Sequence, residues 1–467
     1  MTQEQPRGQW ASRLGFVLAA GGSAVGLGNI WRFPYATGQN GGALFVLVYL
    51  GCVLVIGLPI LIAEIVIGRH AHRAPVGAFT HIKGEDSAWR IIGWMSVVSG
   101  FIILSYYSVV AGWTLNYTLM GITHFFTPCV DNVCAPRDPQ QIQDAFGTLV
   151  AAGDINVFWH FVFMLVTVAI VLGGVQRGIE AWSRFLMPAL LIILVVLMAD
   201  AVLQPGFGRA LGFLFAPRFD KLTADGVLQA LGQSFFTLSL GLGAMLTYGS
   251  YLSKQSDIVG ASTTIAVLDT AVALLACLVV FPIIFSFSME PEAGPGLVFK
   301  SMPIALSMMP GSTLLTILFF GLLFFAALTS AISLLEVVVA SVMEQVGWTR
   351  FRATLVMGTL IFVFGIPSAL AGSGGVFASW SKIFGMNFFD TMDHLSVNWL
   401  LPIGGFFIAL FAGWVMPEDA RRGEFEAGSK ARFLYLPWLW TLRLVVPVAI
   451  LVLWLFSVGI LSHDWLR

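Results

Sequence analysis

Apolar runs of about 20 residues recur along nearly the whole chain, and no other feature restricts its fold as much. They lie at 14–38, 43–68, 91–124, 157–174, 180–203, 227–253, 259–288, 312–343, 352–370, 388–415 and 439–461, eleven in all. A helix rises about 1.5 Å per residue, so each run can cross a hydrocarbon layer about 30 Å thick. With 58% of residues hydrophobic and only 10% charged, a soluble domain is excluded and an all-α integral membrane protein is expected. The apolar run after Arg13 continues through glycine-rich sequence into "NIWRFPY" with no small-residue processing site, so the first run is expected to stay as a span.

Basic residues set the orientation. Arg7, Arg13, Arg69, Arg73, Lys83, Arg90, Arg177, Arg184, Lys254, Arg350, Arg352, Arg421, Arg422, Lys430 and Arg432 all fall on the side shared by the N-terminus, which is therefore expected to be cytoplasmic. With an odd number of spans, Arg467 would lie outside a cell inner (plasma) membrane. The net charge of -1 says nothing about nucleic acid, but no basic patch with interleaved aromatics is present, so the lipid bilayer and not nucleic acid is the expected partner. Cys52 and Cys277 sit in apolar runs and read as inert packing. Cys129 and Cys134 share the longest expected external loop, 126–156, where a disulfide would form in an oxidising compartment.

The first and sixth spans carry a shared motif, "SAVGLGN" (Ser23 to Asn29) and "TLSLGLGA" (Thr237 to Ala244), roughly 215 residues apart. The sixth span comes five spans after the first, an odd offset, so the two halves must have opposite topology, the pattern of an inverted repeat. The chain then divides into a cytoplasmic segment 1–13, a first repeat 14–205 (spans 1–5), a second repeat 226–416 (spans 6–10) and a final segment 430–467 with span 11 and an external C-terminus. Each glycine inside a helix costs about 1 kcal/mol relative to alanine, so continuous helices are poorly encoded at both motifs. Broken backbone at mid-bilayer requires a polar occupant, because unpaired amides and carbonyls cost several kcal/mol each in hydrocarbon. Close helix packing would explain one glycine-rich span; it does not explain two at matching positions. Asp269, inside "IAVLDTAVALLACLVV", costs about 2.5–3.5 kcal/mol to insert and is functional by default.

"GNIWRFPY" with "NGGALFVLVYL", the tyrosine pair in "SYYSVVAGWTLNY", "GQSFFTLSLGLGAMLTYGSY" and "FFAALTSAISLLE" resemble the neurotransmitter:sodium symporter family, in particular its bacterial LeuT-like amino-acid transporters of eleven-helix type. The resemblance covers spans 1 to 10 in order. It implies the LeuT fold, a 5+5 inverted repeat with spans 1 and 6 broken, here with one extra helix.

The resemblance also implies two bound sodium ions. One would lie between carbonyls of Gly22, Val25 and Ala326 and hydroxyls of Thr329 and Ser330; the other would take the Ala24 carbonyl, Asn29, Thr237, Asp269 and the cargo's own carboxylate. In chloride-dependent relatives the Asp269 position resembles an Asn with a Ser one turn later. Here that later residue is Ala273, so transport is expected to ignore chloride. Substrate residues carried over are Ala24, Gly26, Leu27, Gly28, Tyr107 and Thr237 at the breaks, with Ile103, Phe236, Ser239, Leu242, Ser330 and Leu334 around the cargo's side chain. Gly26, where amine-selective relatives carry Asp, leaves room for a carboxylate, and the lining implies a neutral hydrophobic amino acid. The outer gate would pair Arg32 with Asp393 under the lid Phe236; the inner gate would join Arg7 and Trp10 to Glu344, with Tyr251 close by. Glu64 is expected to brace the unwound first span, Gln233 to join the polar network, and Gly178 and Pro188 to match a pattern that loosens the start of span 5.

The expected activity is sodium-coupled import of neutral hydrophobic L-amino acids by alternating access; the alternative is a non-transporting or channel-like member of the same fold. Hydrolysis is excluded for want of a G-x-S-x-G, HExxH or paired catalytic Asp motif. A homodimer is left open.

Overall fold

The computed structural model describes residues 8–130, 133–217, 223–291, 294–375, 377 and 379–461. Among these, nine helices are long and apolar enough to cross a membrane: Ala43–Ala71, Arg90–Ile122, Gly153–Leu172, Val175–Val202, Ile258–Ser286, Ser312–Val346, Arg350–Ala369, Phe388–Val415 and Arg432–Ser457. A tenth span is the pair Arg13–Ala24 and Gly28–Gln39, bent by 50° at the break between them. The expected sixth span is two pieces, Ala224–Thr237 and Ala244–Gly249, each too short to cross alone. Both breaks thus fall at the paired glycine motifs.

The two breaks are built differently. In span 6, Ser239, Gly241 and Gly243 take φ values of 53°, 79° and 71°, so the chain leaves the helix through left-handed backbone that glycine adopts without penalty. In span 1 the helix ends at Val25, whose ψ of 100° is extended. Here glycine supplies space rather than conformation. A Cβ on Gly28 would meet the Phe236 ring at 2.8 Å, and one on Gly26 would meet the Ser330 hydroxyl at 2.5 Å and the Tyr107 hydroxyl at 3.2 Å.

Spans 3 and 8 pack along each other, and span 1 lies against spans 5, 7 and 8. One large apolar cluster surrounds the breaks, with a small satellite of Val76, Val97 and Val338, while the outward faces of spans 4, 5, 9 and 11 expose large hydrophobic side chains suited to lipid.

The external connection expected as loop contains a helix, Pro139–Ala151. Asp138 caps it by accepting from the Gln140 amide at 2.7 Å, Pro139 opens it, and Ile142, Phe146 and Leu149 bury one face. Before it, Cys129 and Cys134 are disulfide-bonded between two short antiparallel strands, Cys129–Val130 and Val133–Cys134.

Candidate functional site

Asp269, wholly buried in the middle of span 7, organises one polar cluster. The Asn29 amide nitrogen donates to its carboxylate at 2.7 Å and to its main-chain carbonyl at 3.0 Å. The Tyr49 hydroxyl donates to the second carboxylate oxygen at 3.2 Å and lies equally far from the Thr237 hydroxyl. On the other side, Asn29 Oδ1 accepts the Gly26 amide at 3.0 Å, and Gln233 donates to the Gly28 carbonyl at 2.9 Å. The break in span 1 is therefore held open by amide side chains from spans 1 and 6 that satisfy its backbone groups. Ala24 is buried at the end of the inner half-helix.

A second cluster forms where span 8 crosses the same break. The Thr329 hydroxyl lies 3.4 Å from the Val25 carbonyl and 3.0 Å from the Ala326 carbonyl, and a Cβ on Gly22 would come within 3.1 Å of Thr329 Cβ. Ser330 does not share these partners: its hydroxyl donates to the Ser23 carbonyl at 3.2 Å. The Ser239 hydroxyl donates to the same carbonyl at 2.9 Å, so Ser23 joins spans 1, 6 and 8.

Between the breaks, the Tyr107 hydroxyl accepts the Leu27 amide at 3.4 Å. Ile103, Leu242 and Leu334 are buried and Phe236 partly so. The arrangement offers hard oxygens on two sides of an apolar slot, with hydroxyl and amide groups at one end of it.

Glu64 corrects an expectation. It braces the sixth span, accepting the Gly241 amide at 2.7 Å, because span 2 packs against the inner half of span 6.

At the inner face, Trp10 donates its ring N–H to the Tyr248 carbonyl at 2.9 Å and its amide to the Tyr251 carbonyl at 3.2 Å. The Tyr251 hydroxyl donates at 2.6 Å to Glu336, which Arg350 holds through two bonds of 2.7 and 2.8 Å. Glu344, about two turns further along span 8, accepts the Ala74 amide at 2.8 Å and faces Arg73 at 3.6 Å. Arg7 lies outside the described residues.

At the outer face, no ion pair joins Arg32 to Asp393 among the described residues. The Arg32 guanidinium instead sits 4.7 Å from the centre of the Phe236 ring. Above it opens a cavity of about 580 Å³ lined by Arg32, Gln39, Gln233 and Asn398. Among the described residues, Trp10 and Tyr251 are hydrogen-bonded at the inner face while Arg32 and Asp393 form no ion pair.

Tyr49, Ser23 and the Glu336–Arg350 pair were not singled out in the sequence. Tyr49 sits in "FVLVYLGCVLVIG", where an aromatic reads as packing, and only its distance to Asp269 reveals its part.

The model of the sodium:neurotransmitter symporter family matches residues 7–148 and 140–463. The chain belongs to this family. The symporter shares 38% identity over 463 residues with the uncharacterized sodium-dependent transporter YhdH of Bacillus subtilis, covering 99% of this chain and 100% of that protein. An uncharacterized sodium-dependent transporter of Haemophilus influenzae is 33% identical over 97% of this chain and 99% of its own length. Among solved structures, MhsT in complex with L-phenylalanine superposes with a TM-score of 0.86 at 42% identity, covering 97% of this chain and 100% of that one. The LeuT fold is thereby established for this symporter, and with it a multi-pass membrane protein of a sodium-coupled transporter family.

Proposed function

We propose that the chain carries a neutral, hydrophobic L-amino acid inward together with two sodium ions, by alternating access and without chloride. The observation that carries this reading is the Asp269 cluster: a buried, unbalanced carboxylate held against the break of span 1 by Asn29 and Tyr49. A sodium ion beside Asn29, Thr237 and the Ala24 carbonyl would balance that charge, and the cargo's carboxylate would complete its shell. Ala273, wholly buried, has no hydroxyl with which to hold an anion. The second ion would lie among Gly22, Val25, Ala326, Thr329 and Ser330, of which Thr329 already faces two of the carbonyls.

Substrate class follows from space. Any side chain at Gly26 would collide with the Ser330 and Tyr107 hydroxyls, and without an Asp there a cargo carboxylate would meet no like charge. Ile103, Leu242 and Leu334 offer no charge to a basic or acidic side chain. The structure of MhsT with phenylalanine supports a large apolar cargo. The repeats 14–205 and 226–416 would rock against each other around this fixed site, in an inner membrane with the N-terminus cytoplasmic and the C-terminus external. Binding of the neutral amino acids to purified protein in sodium and in potassium tests the reading. Sodium-dependent binding of leucine-sized or aromatic side chains is expected; equal binding in potassium, or preference for decarboxylated amines, would contradict it.

A further inference from the structure

Glu180 belongs to neither polar cluster, yet its carboxylate is buried at the start of span 5 and directed at the segment entering span 1. One oxygen accepts the Ala11 amide at 2.7 Å. The other lies 3.3 Å from the Ser12 hydroxyl and 2.6 Å from the guanidinium of Arg184, which also reaches Ser12 at 2.8 Å. Ser12 is the N-cap of the first helix, accepting the Gly15 amide at 2.9 Å. The carboxylate fills the space that any side chain at position 15 would need. Gln176, in the same wide first turn of span 5, donates to the Gln9 carbonyl at 2.8 Å.

For the cytoplasm to reach the break in span 1, its inner half must part from span 5, and these are the polar contacts that parting would break. Arg184 lies one turn along the same helix as Glu180 and is half-exposed, so it stays with the carboxylate after separation. The charge is then paired in both states: Glu180 gives up its bonds to Ala11 and Ser12, and the Arg184–Ser12 and Gln176–Gln9 bonds go with them. Such a contact can open and reclose without stranding a buried charge.

We propose that Glu180 is a gating residue, a latch that fastens the entry of span 1 to span 5 and sets the balance between the closed and open inner gate. This rests on alternating access but not on the identity of the cargo.

The test uses full-length protein with Cys52 and Cys277 replaced by serine and a reporter thiol from Tyr248→Cys, a position that Trp10 covers. Thiol labelling in saturating sodium is compared with and without Glu180→Gln. Loss of a charge-assisted bond should raise the labelling rate by roughly tenfold. Gly15→Ala, which evicts the carboxylate sterically, should act in the same direction, and Ser12→Ala should do so more weakly. Thermal melting and sodium-dependent binding identify the folded variants; should Glu180→Gln fail to fold, Gly15→Ala and Ser12→Ala decide. Unchanged or slower labelling in folded variants would overturn the proposal.

Discussion

At the residue scale the reading turns on one carboxylate. Asp269→Asn removes the fixed charge while keeping the shape, so sodium affinity and cargo affinity should fall together, by tenfold or more, about 1.4 kcal/mol. Adding Ala273→Ser should make the residual activity depend on an anion. Sodium-dependent binding in chloride and in gluconate checks both; unaltered sodium affinity in the Asn variant would contradict the role given to Asp269. Gly26→Asp should abolish amino-acid binding by repelling the cargo's carboxylate, and retained tight leucine binding would contradict that assignment. Asp269 stood out because a charge in an apolar run needs a reason to be there, whereas Asn29 and Thr237 were carried over from the family resemblance; the structure places both beside it. Side-chain direction was not. Thr329 and Ser330 are neighbours in sequence but reach different carbonyls, since successive residues on a helix point about 100° apart. The target of Glu64 depended on which broken helix lies beside span 2, a matter of packing that no local pattern encodes.

At the scale of elements, the same Gly-Leu-Gly triplet serves two purposes, which gives a contrast to measure. Gly241→Ala would force a side chain onto backbone at φ 79° and into the Leu401 carbonyl, 2.5 Å from the new Cβ. It should lower stability by about 1–3 kcal/mol, read as a fall in melting temperature. Gly26→Ala keeps an ordinary φ and meets side chains, the Ser330 hydroxyl at 2.5 Å and the Tyr107 hydroxyl at 3.2 Å, rather than backbone. It should therefore weaken cargo binding with little change in melting. That both motifs interrupt helices was readable from glycine density, but which kind of interruption each makes was not, because φ is decided by the neighbours. The external helix Pro139–Ala151 did leave a signal in its Asp-Pro start and the apolar spacing of Ile142, Phe146 and Leu149. The polar composition around it hid that signal.

At the scale of the whole molecule, the spans were legible because hydrophobic length is imposed by the bilayer, whereas the separation of Arg32 from Asp393 depends on conformation, which no local pattern encodes. On the proposed coupling, two sodium ions moving with a zwitterion would carry two net charges. At about 2.3 kcal/mol per charge per 100 mV, the membrane potential then contributes about 4.6 kcal/mol to accumulation. The most direct test is the current evoked by a neutral hydrophobic amino acid across a supported membrane of proteoliposomes. The account predicts inward positive current in sodium chloride and in sodium gluconate alike, and none in potassium. Current that requires chloride, persists in potassium, or is absent while sodium-dependent uptake proceeds would contradict it.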